Sequence, residues 1–358
     1  MVAISCLLCT ARDEFPIIGL PNTHIFQPTF DSLEKQTFKN FELVIVDSLW
    51  PQKKKWIEEG NWSFPIKYVP VHPNHRFWLD QKRWSVCGSL NSAIIHAETD
   101  DLLVRIDDCS EFKDDFLQKF WSGYDHGYFP LAMHTRYRNG RQAYYNEEYR
   151  QEGYDAYKRE EIPKESVQRE IRLKALDKIF NKGDPVRDTR WPIVERRGGN
   201  MIGPPNWYYG YSSLSLQAAL KVNGYNELFD LDKGQEDQEM GLRLSMAGYG
   251  NMFLLDVNHW VIEHEHEGVS SSVIESGRNV KCNYAIYLLN ERKKRWRANS
   301  EKLTEEDVKL IIEESLKAPC SPQPHFYDED CEGELFKLWL SHQPLFDLRE
   351  ESIKMGVP

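Results

Sequence analysis

Ser32–Ser48 reads SLEKQTFKNFELVIVDS. Its first part continues a helical pattern, FDSLEKQ, that begins at Phe30 and runs to Gln36. Its second part, Phe41–Val46 (FELVIV), is an apolar run interrupted only by Glu42 and followed by Asp47. A short, mostly apolar run after a helix fits a buried strand, the environment of a parallel sheet. The flanks repeat the arrangement. Upstream, Val2–Cys9 reads as a buried strand. Downstream, Ile66–Val71 reads as a third strand, Leu90–Ala97 (LNSAIIHA) as a helix, and Leu102–Ile106 (LLVRI) as a fourth strand ending in Asp107 and Asp108. Strands alternating with helices predict an α/β fold, a mostly parallel sheet flanked by helices on both faces. Ligands of such sheets collect at the carboxyl ends of strands, where Asp47, Asp107 and Asp108 fall.

The chain has 358 residues, 41% of them hydrophobic and 28% charged, which suffices for a sizeable core. It contains no apolar run of the ~18 residues that a membrane span needs. The apolar start, MVAISCLLCTARDEF, lacks a basic leader and reads as the first strand. A cytoplasmic location is expected. The net charge of −11 argues against a general nucleic-acid coat. The seven cysteines are scattered, which argues against a disulfide framework. Cys6 and Cys9, three apart on a strand, point to opposite faces and suit neither zinc nor a redox pair.

His134–Asn200 departs from this pattern. It holds 16 Lys plus Arg against 12 Asp plus Glu, a net of +4, and is rich in Tyr. It reads as a polar insertion or lid with a helix at Gln168–Phe180, or as a solvated excursion without function. From Pro204 the apolar pattern returns. WYYGYSSLSLQAALKVNGYNELFD reads as strand, turn and helix, with the helix end marked by Gly224. Gln235–Met246 reads as a helix, and GYGNMFLLD and HWVIEHEHEG follow as extended segments. Residues 1–270 form the expected main domain, and 271–358 a helical C-terminal extension. The extension includes a linker at Pro319–Pro324 and a last helix around Phe336–Leu340. RKKRWR (Arg292–Arg297) reads as a solvated helix face or as a basic patch for peripheral membrane docking.

Three groups of residues could carry chemistry. Adjacent carboxylates at a strand end, Asp107 and Asp108, repel unless a cation neutralises them, and hard oxygen ligands suit Mg²⁺ or Mn²⁺. The pair also reads as a solvated turn. Glu236 and Asp237 open a helix, where carboxylates complement the dipole, and one aimed into a cleft can act as a general base. His264 and His266 share one face of a strand and could reach a metal or a phosphate, with Glu263, Glu265 and Glu267 on the other face. The P-loop, G-x-S-x-G and H-E-x-x-H motifs are absent, and GGNMIG lacks dinucleotide-binding spacing.

Taken in order, these pieces resemble a GT-A-fold glycosyltransferase of the family 2 type, Rossmann-like in layout, from about Val2 to about Val269. ISCLLCTARDE resembles the family's first strand and nucleotide-contacting turn. SLEKQTFKNFELVIVDS resembles its helix and second strand. LNSAIIHAETDDLLVRIDDCSEF resembles the block with the metal-binding D-x-D motif. YYGYSSLSLQAALKVNGYNELF resembles the acceptor-side segment, and GQEDQEMGLRLSMAGYG the helix that supplies the catalytic base. The resemblance implies a nucleoside-diphosphate sugar donor, UDP-sugar foremost, and an acceptor hydroxyl on a glycan, protein, lipid-linked sugar or modified DNA base. It implies donor contacts from Thr10, Arg12, Asp47, Arg83 and Asp107. Asp237 would be the base of an inverting displacement, with Glu236 beside it. Mn²⁺ or Mg²⁺ would bind at Asp107, Asp108 and His264 or His266. Cys109 departs from the family by standing where a strict D-x-D has its last Asp. A sugar-nucleotide-binding protein without turnover is the alternative of a different class. A nucleotidyltransferase ranks below both, because TARDEF lacks a glycine-rich phosphate loop.

Overall fold

The computed structural model describes residues 2–12, 23–83, 85–137, 186–230, 234–264, 282–317 and 334–354. Ten strands are present among them: β1 (Ile4–Thr10), β2 (Phe41–Asp47), β3 (Ile66–Val69), β4 (Leu102–Ile106), β5 (Ser110–Phe112), β6 (Phe129–Tyr137), β7 (Val186–Arg187), β8 (Asn200–Ile202), β9 (Ser213–Ser215) and β10 (Phe253–His264). The first sheet has the order β3-β2-β1-β4-β9. Its first four strands are parallel, and β9 runs antiparallel along β4. β1 and β2 are buried almost throughout, as their apolar runs require. Alternate residues feed two cores. Ile4, Cys6, Leu8 and Ile45 pack with Phe26, Phe30, Leu33, Phe116 and Phe120 on one face. Leu7, Val44, Val46 and Leu103 pack with Leu90 and Ile94 on the other, with Cys9 against them. Cys6 and Cys9 thus lie on opposite faces.

The chain winds outward from β1 through β2 to β3, then crosses back to lay β4 on the other side of β1. The strand order therefore reverses between β1 and β4, and a crevice opens at their carboxyl ends. Thr10 ends β1, and Asp107 directly follows β4.

A second sheet, β5-β10-β6-β7 with β8 also on β10, backs this crevice. The two extended segments expected after Gly248 are one strand, β10, with a register irregularity between Leu255 and Trp260. Its antiparallel pairing with β5 sets Glu263 opposite Ser110. The acidic end of β10 therefore lies against the turn that carries Asp107 and Asp108.

Two helices differ from the sequence reading in their bounds. The first spans Gln27–Glu34, beginning earlier than Phe30 with Pro28 in its first turn, where proline's missing donor is harmless. The other spans Val86–His96 instead of beginning at Leu90. Its cap is remote: Asp230 accepts hydrogen bonds from Cys87 N (2.7 Å), Gly88 N (2.9 Å) and Ser85 Oγ (2.5 Å). The Leu216–Val222 helix is capped locally, by Ser215 Oγ on Ala218 N at 3.0 Å. It ends in two left-handed residues, Asn223 (φ 63°) and Gly224 (φ 68°).

The C-terminal helices Cys282–Lys293, Glu305–Lys317, Glu334–Ser341 and Leu348–Lys354 pack onto the core. Ala285, Ile286, Leu289, Ile311, Trp339 and Leu348 pack in the same cluster as Leu90 and Tyr225. Asn223 Nδ2 donates to the carbonyls of Ala298 and Phe346, and its Oδ1 accepts from Leu348 N. The basic stretch is spent on ion pairs: Arg292 with Glu314, Lys293 and Arg295 with Asp307, and Arg297 with Asp347. Phe336–Leu340 lies within the Glu334–Ser341 helix, as expected. The Gln168–Phe180 helix, most of the polar insertion and the Pro319–Pro324 linker lie outside the described residues. No helix among the described residues is long and apolar enough to cross a membrane.

His75 clasps this C-terminal part. Its Nδ1 lies 2.7 Å from Glu227 Oε1 and its Nε2 2.9 Å from Glu351 Oε2, and its ring is fully buried. Burial alone would lower the imidazole's pKa, but the two carboxylates outweigh it and raise the pKa to about 10. A pKa raised on folding stabilises below the unfolded value, near 6.5, and that stabilisation is lost as pH climbs towards 10. Thermal unfolding followed by circular dichroism should give a Tm that falls by several degrees from pH 7 to pH 9.5. His75→Gln should start lower and lack most of that slope. Equal slopes in the two proteins would contradict the clasp.

Candidate active site

The crevice between β1 and β4 gathers side chains from four elements. From β1, Thr10 Oγ1 donates to Asp108 Oδ2 at 2.9 Å. Arg12, in the turn beyond, places Nε 3.1 Å from the same oxygen, and the Asp108 side chain is only 5% exposed. Asp107 is half-buried beside it. Burial pushes the Asp107 carboxyl up, with Glu263 and Asp108 adding to the effect and Arg105 and Arg12 opposing it. Cys109 takes a left-handed conformation (φ 58°) and buries its thiol, whose pKa burial raises well above the ordinary range. A buried, protonated thiol is a poor metal ligand.

The β10 end closes this turn from behind. His264 N donates to Cys109 O at 2.9 Å. Its imidazole Nε2, however, lies 2.9 Å from Glu111 Oε2. On an alternating strand, Glu263 faces the other way, and its charge bears on Asp107 and Cys109. The structure thus brings His264 to the Asp107–Cys109 turn through its backbone and engages its ring with Glu111. His266 lies outside the described residues.

Opposite stands the Glu236–Leu244 helix. Gly234 (φ 102°) and Gln235 (φ 73°) turn the chain so that the helix starts at the crevice. Met240 and Leu244 anchor its buried face. Gly241 lets it approach the Pro205–Trp207 turn, since a Cβ there would stand 2.2 Å from Pro205 O. Glu236 and Asp237 occupy the first turn, both partly buried. Asp237 Oδ1 pairs with Arg105 Nη1, and its Oδ2 accepts from Gly210 N at 3.3 Å. Arg105 is two residues before Asp107, so both side chains leave the same face of β4. Strand β4, the helix and the Gly210 turn therefore meet at one ion pair.

Two further expected donor residues are Asp47, which pairs with Thr10 across β1 and β2, and Arg83. Asp47 is fully buried: Oδ1 accepts from Leu49 N at 2.8 Å, and Oδ2 accepts from Tyr68 Oη at 2.7 Å and Lys53 Nζ at 3.0 Å. Both its oxygens are engaged within the protein. Arg83 lies in the segment leading into the Val86–His96 helix, its amide donating to Trp78 O at 2.8 Å.

The sequence reading missed Arg105, Glu263 as a neighbour of Asp107, and Asp230 as a cap. Only Arg105 left a signal, a lone charge inside the apolar strand LLVRI. A buried charge persists only where it is paired.

A divalent cation prefers several oxygen ligands around one point. Here Asp108 is committed to Thr10 and Arg12, the Cys109 thiol is buried and His264 is engaged with Glu111. Among the described residues, no group of three His, Cys, Asp or Glu is disposed to hold a metal ion. The described residues at the expected Mn²⁺ or Mg²⁺ site do not by themselves build a metal centre.

No family model matches the chain, and no curated protein matches it in sequence. Among solved structures it is similar to S. aureus TarS 1–349 in complex with UDP, at 13% identity and a TM-score of 0.47, covering 87% of this chain and 70% of that one. It is also similar to glucosyl-3-phosphoglycerate synthase from Mycobacterium tuberculosis in complex with Mn²⁺, UDP and phosphoglyceric acid. That match has 11% identity and a TM-score of 0.37, covering 84% of this chain and 81% of that one. A third match, 4-diphosphocytidyl-2C-methyl-D-erythritol synthase from Anaerococcus prevotii, has 12% identity and a TM-score of 0.28, covering 38% of this chain and 56% of that one.

Proposed function

We propose that this protein is a GT-A-type glycosyltransferase that moves a sugar from a nucleoside-diphosphate sugar, with UDP-sugar the favoured donor, to an acceptor hydroxyl. The observation that carries the reading is the convergence of Asp107 and Asp237, from separate elements, at the crevice where the strand order reverses. The donor lies along the carboxyl ends of β1 and β4, with Thr10, Arg12 and Asp107 beside it. The acceptor oxygen attacks the anomeric carbon from the side of the Glu236–Leu244 helix. Asp237 accepts the hydroxyl proton as the new carbon–oxygen bond forms. The bond from that carbon to the diphosphate breaks, and the diphosphate leaves with the electron pair. A single displacement of this kind inverts the anomeric configuration. Glu236, adjacent in the first turn, orients the acceptor. Arg12 supplies positive charge towards the departing phosphates. No step is routed through a metal ion, because the described residues do not build its site.

Purified protein mixed with UDP-, GDP- and TDP-sugars, with Mn²⁺, Mg²⁺ or EDTA, tests the reading through thermal shift and released nucleoside diphosphate. Stabilisation by one UDP-sugar with slow UDP release is the expected result. Binding without release under any condition would favour a sugar-nucleotide-binding protein. Absence of both would reject the donor site.

A further inference from the structure

Arg105 is a guanidinium set into an otherwise apolar strand, and its side chain is only 12% exposed. A buried charge persists only where it is paired. Its direct partner is Asp237, itself 14% exposed. Asp237's other oxygen is fixed by Gly210 N at 3.3 Å. The carboxylate is therefore held from two sides, by a strand and by a turn. The same guanidinium lies among three acidic side chains, Asp107, Glu236 and Asp237, that would otherwise repel one another across the crevice. Among the described residues no ligand set for a divalent ion closes here, and a fixed cation supplied by the chain answers the same electrostatic need.

We propose that Arg105 is a positioning residue: it holds the Asp237 carboxylate in the pose from which it reaches the acceptor and supplies the fixed positive charge between Asp107 and Asp237. This inference rests on the transferase reading. Lysine in its place would keep the charge and lose the planar fork, whereas glutamine would lose the charge.

The test uses the full chain and four variants: Arg105→Gln, Arg105→Lys, Asp237→Asn and the double variant Arg105→Gln/Asp237→Asn. Calorimetric titration with UDP gives affinity, and hydrolysis of the UDP-sugar gives kcat and KM. Arg105→Gln should bind UDP within about threefold of the parent while kcat falls by about 30- to 100-fold at nearly unchanged KM. Arg105→Lys should recover about tenfold of that loss. In the Asp237→Asn background, Arg105→Gln should change hydrolysis by less than about threefold, because the residue it positions is already disabled. Unchanged kcat in Arg105→Gln, multiplicative losses in the double variant, or a parallel loss of UDP affinity would each overturn the inference. If Arg105→Gln does not fold, Arg105→Lys decides: a kcat equal to the parent's overturns it. A parent protein that neither binds UDP nor hydrolyses any UDP-sugar rejects the transferase reading itself, and that failure is seen before any variant is compared.

Discussion

Asp237→Asn should lower sugar transfer by about 10²- to 10⁴-fold while leaving UDP affinity within about threefold of the parent. Asparagine has nearly the same shape, and its carbonyl oxygen can still accept from Gly210 N, so the first turn of the helix keeps its place. What disappears is the carboxylate assigned to take a proton from the acceptor. Glu236→Gln should be milder, about tenfold, since its task is orientation. Asp107→Asn should act differently again, weakening donor binding, because Asp107 lies at the β4 end where the nucleotide is expected. Initial rates of UDP release with each variant, set beside UDP titrations, separate these three outcomes. Retention of full turnover by Asp237→Asn would remove the assigned base.

Gly224→Ala should destabilise the fold by about 3–4 kcal/mol, read as a lowered denaturation midpoint with little change in slope. Gly224 has φ 68°, where a side chain adds strain of about 1 kcal/mol. A Cβ there would also stand 2.2 Å from Asn91 Oδ1 and 2.8 Å from Leu348 Cδ2. Asn91 cannot yield cheaply. Its Oδ1 accepts from Tyr225 N, and its Nδ2 donates to Tyr225 O and Glu227 Oε1, each bond buried and worth about 1 kcal/mol. Gly210→Ala is the contrasting control. It too has positive φ (69°), but nothing lies near its Cβ, so strain alone should appear.

Strands β1, β2 and β4 were legible because they are buried almost throughout, and their apolar runs fit the interior of a parallel sheet. β4 was placed at Leu102–Ile106 and found there. The Leu216–Val222 helix was legible for the same local reason, since its Ser215 cap and its Gly224 stop are within the segment. The start of the Val86–His96 helix was not, because its cap, Asp230, lies more than 140 residues away in sequence. Periodicity sets Glu263 and His264 on opposite faces of acidic β10, and among the described residues they meet different partners, His134 and Glu111. Which face turned to Asp107 depended on pairing with β5, which the tripeptide Ser110–Phe112 is too short to announce. The same limit applies to Asp237: its helix was found, but its partner Arg105 comes from another element. The basic run Arg292–Arg297 looked like a surface feature because its acidic partners, Asp307, Glu314 and Asp347, follow it by 12 to 50 residues.

The His75 clasp has a consequence for how the protein is made. The two residues it joins through Nε2, His75 and Glu351, are 276 positions apart, and Asn74 reaches the same carboxylate across 277. A ribosome delivers the crevice strands early and Glu351 much later. Until then, the nascent chain holds a histidine and the Asn223 amide without their distant partners, over a core that still lacks Trp339 and Leu348. Contacts so far apart in sequence are slow to close, and apolar surface waiting for them is open to wrong associations. A chain cut before Glu351 should therefore be prone to aggregation even though the described residues of the crevice are present.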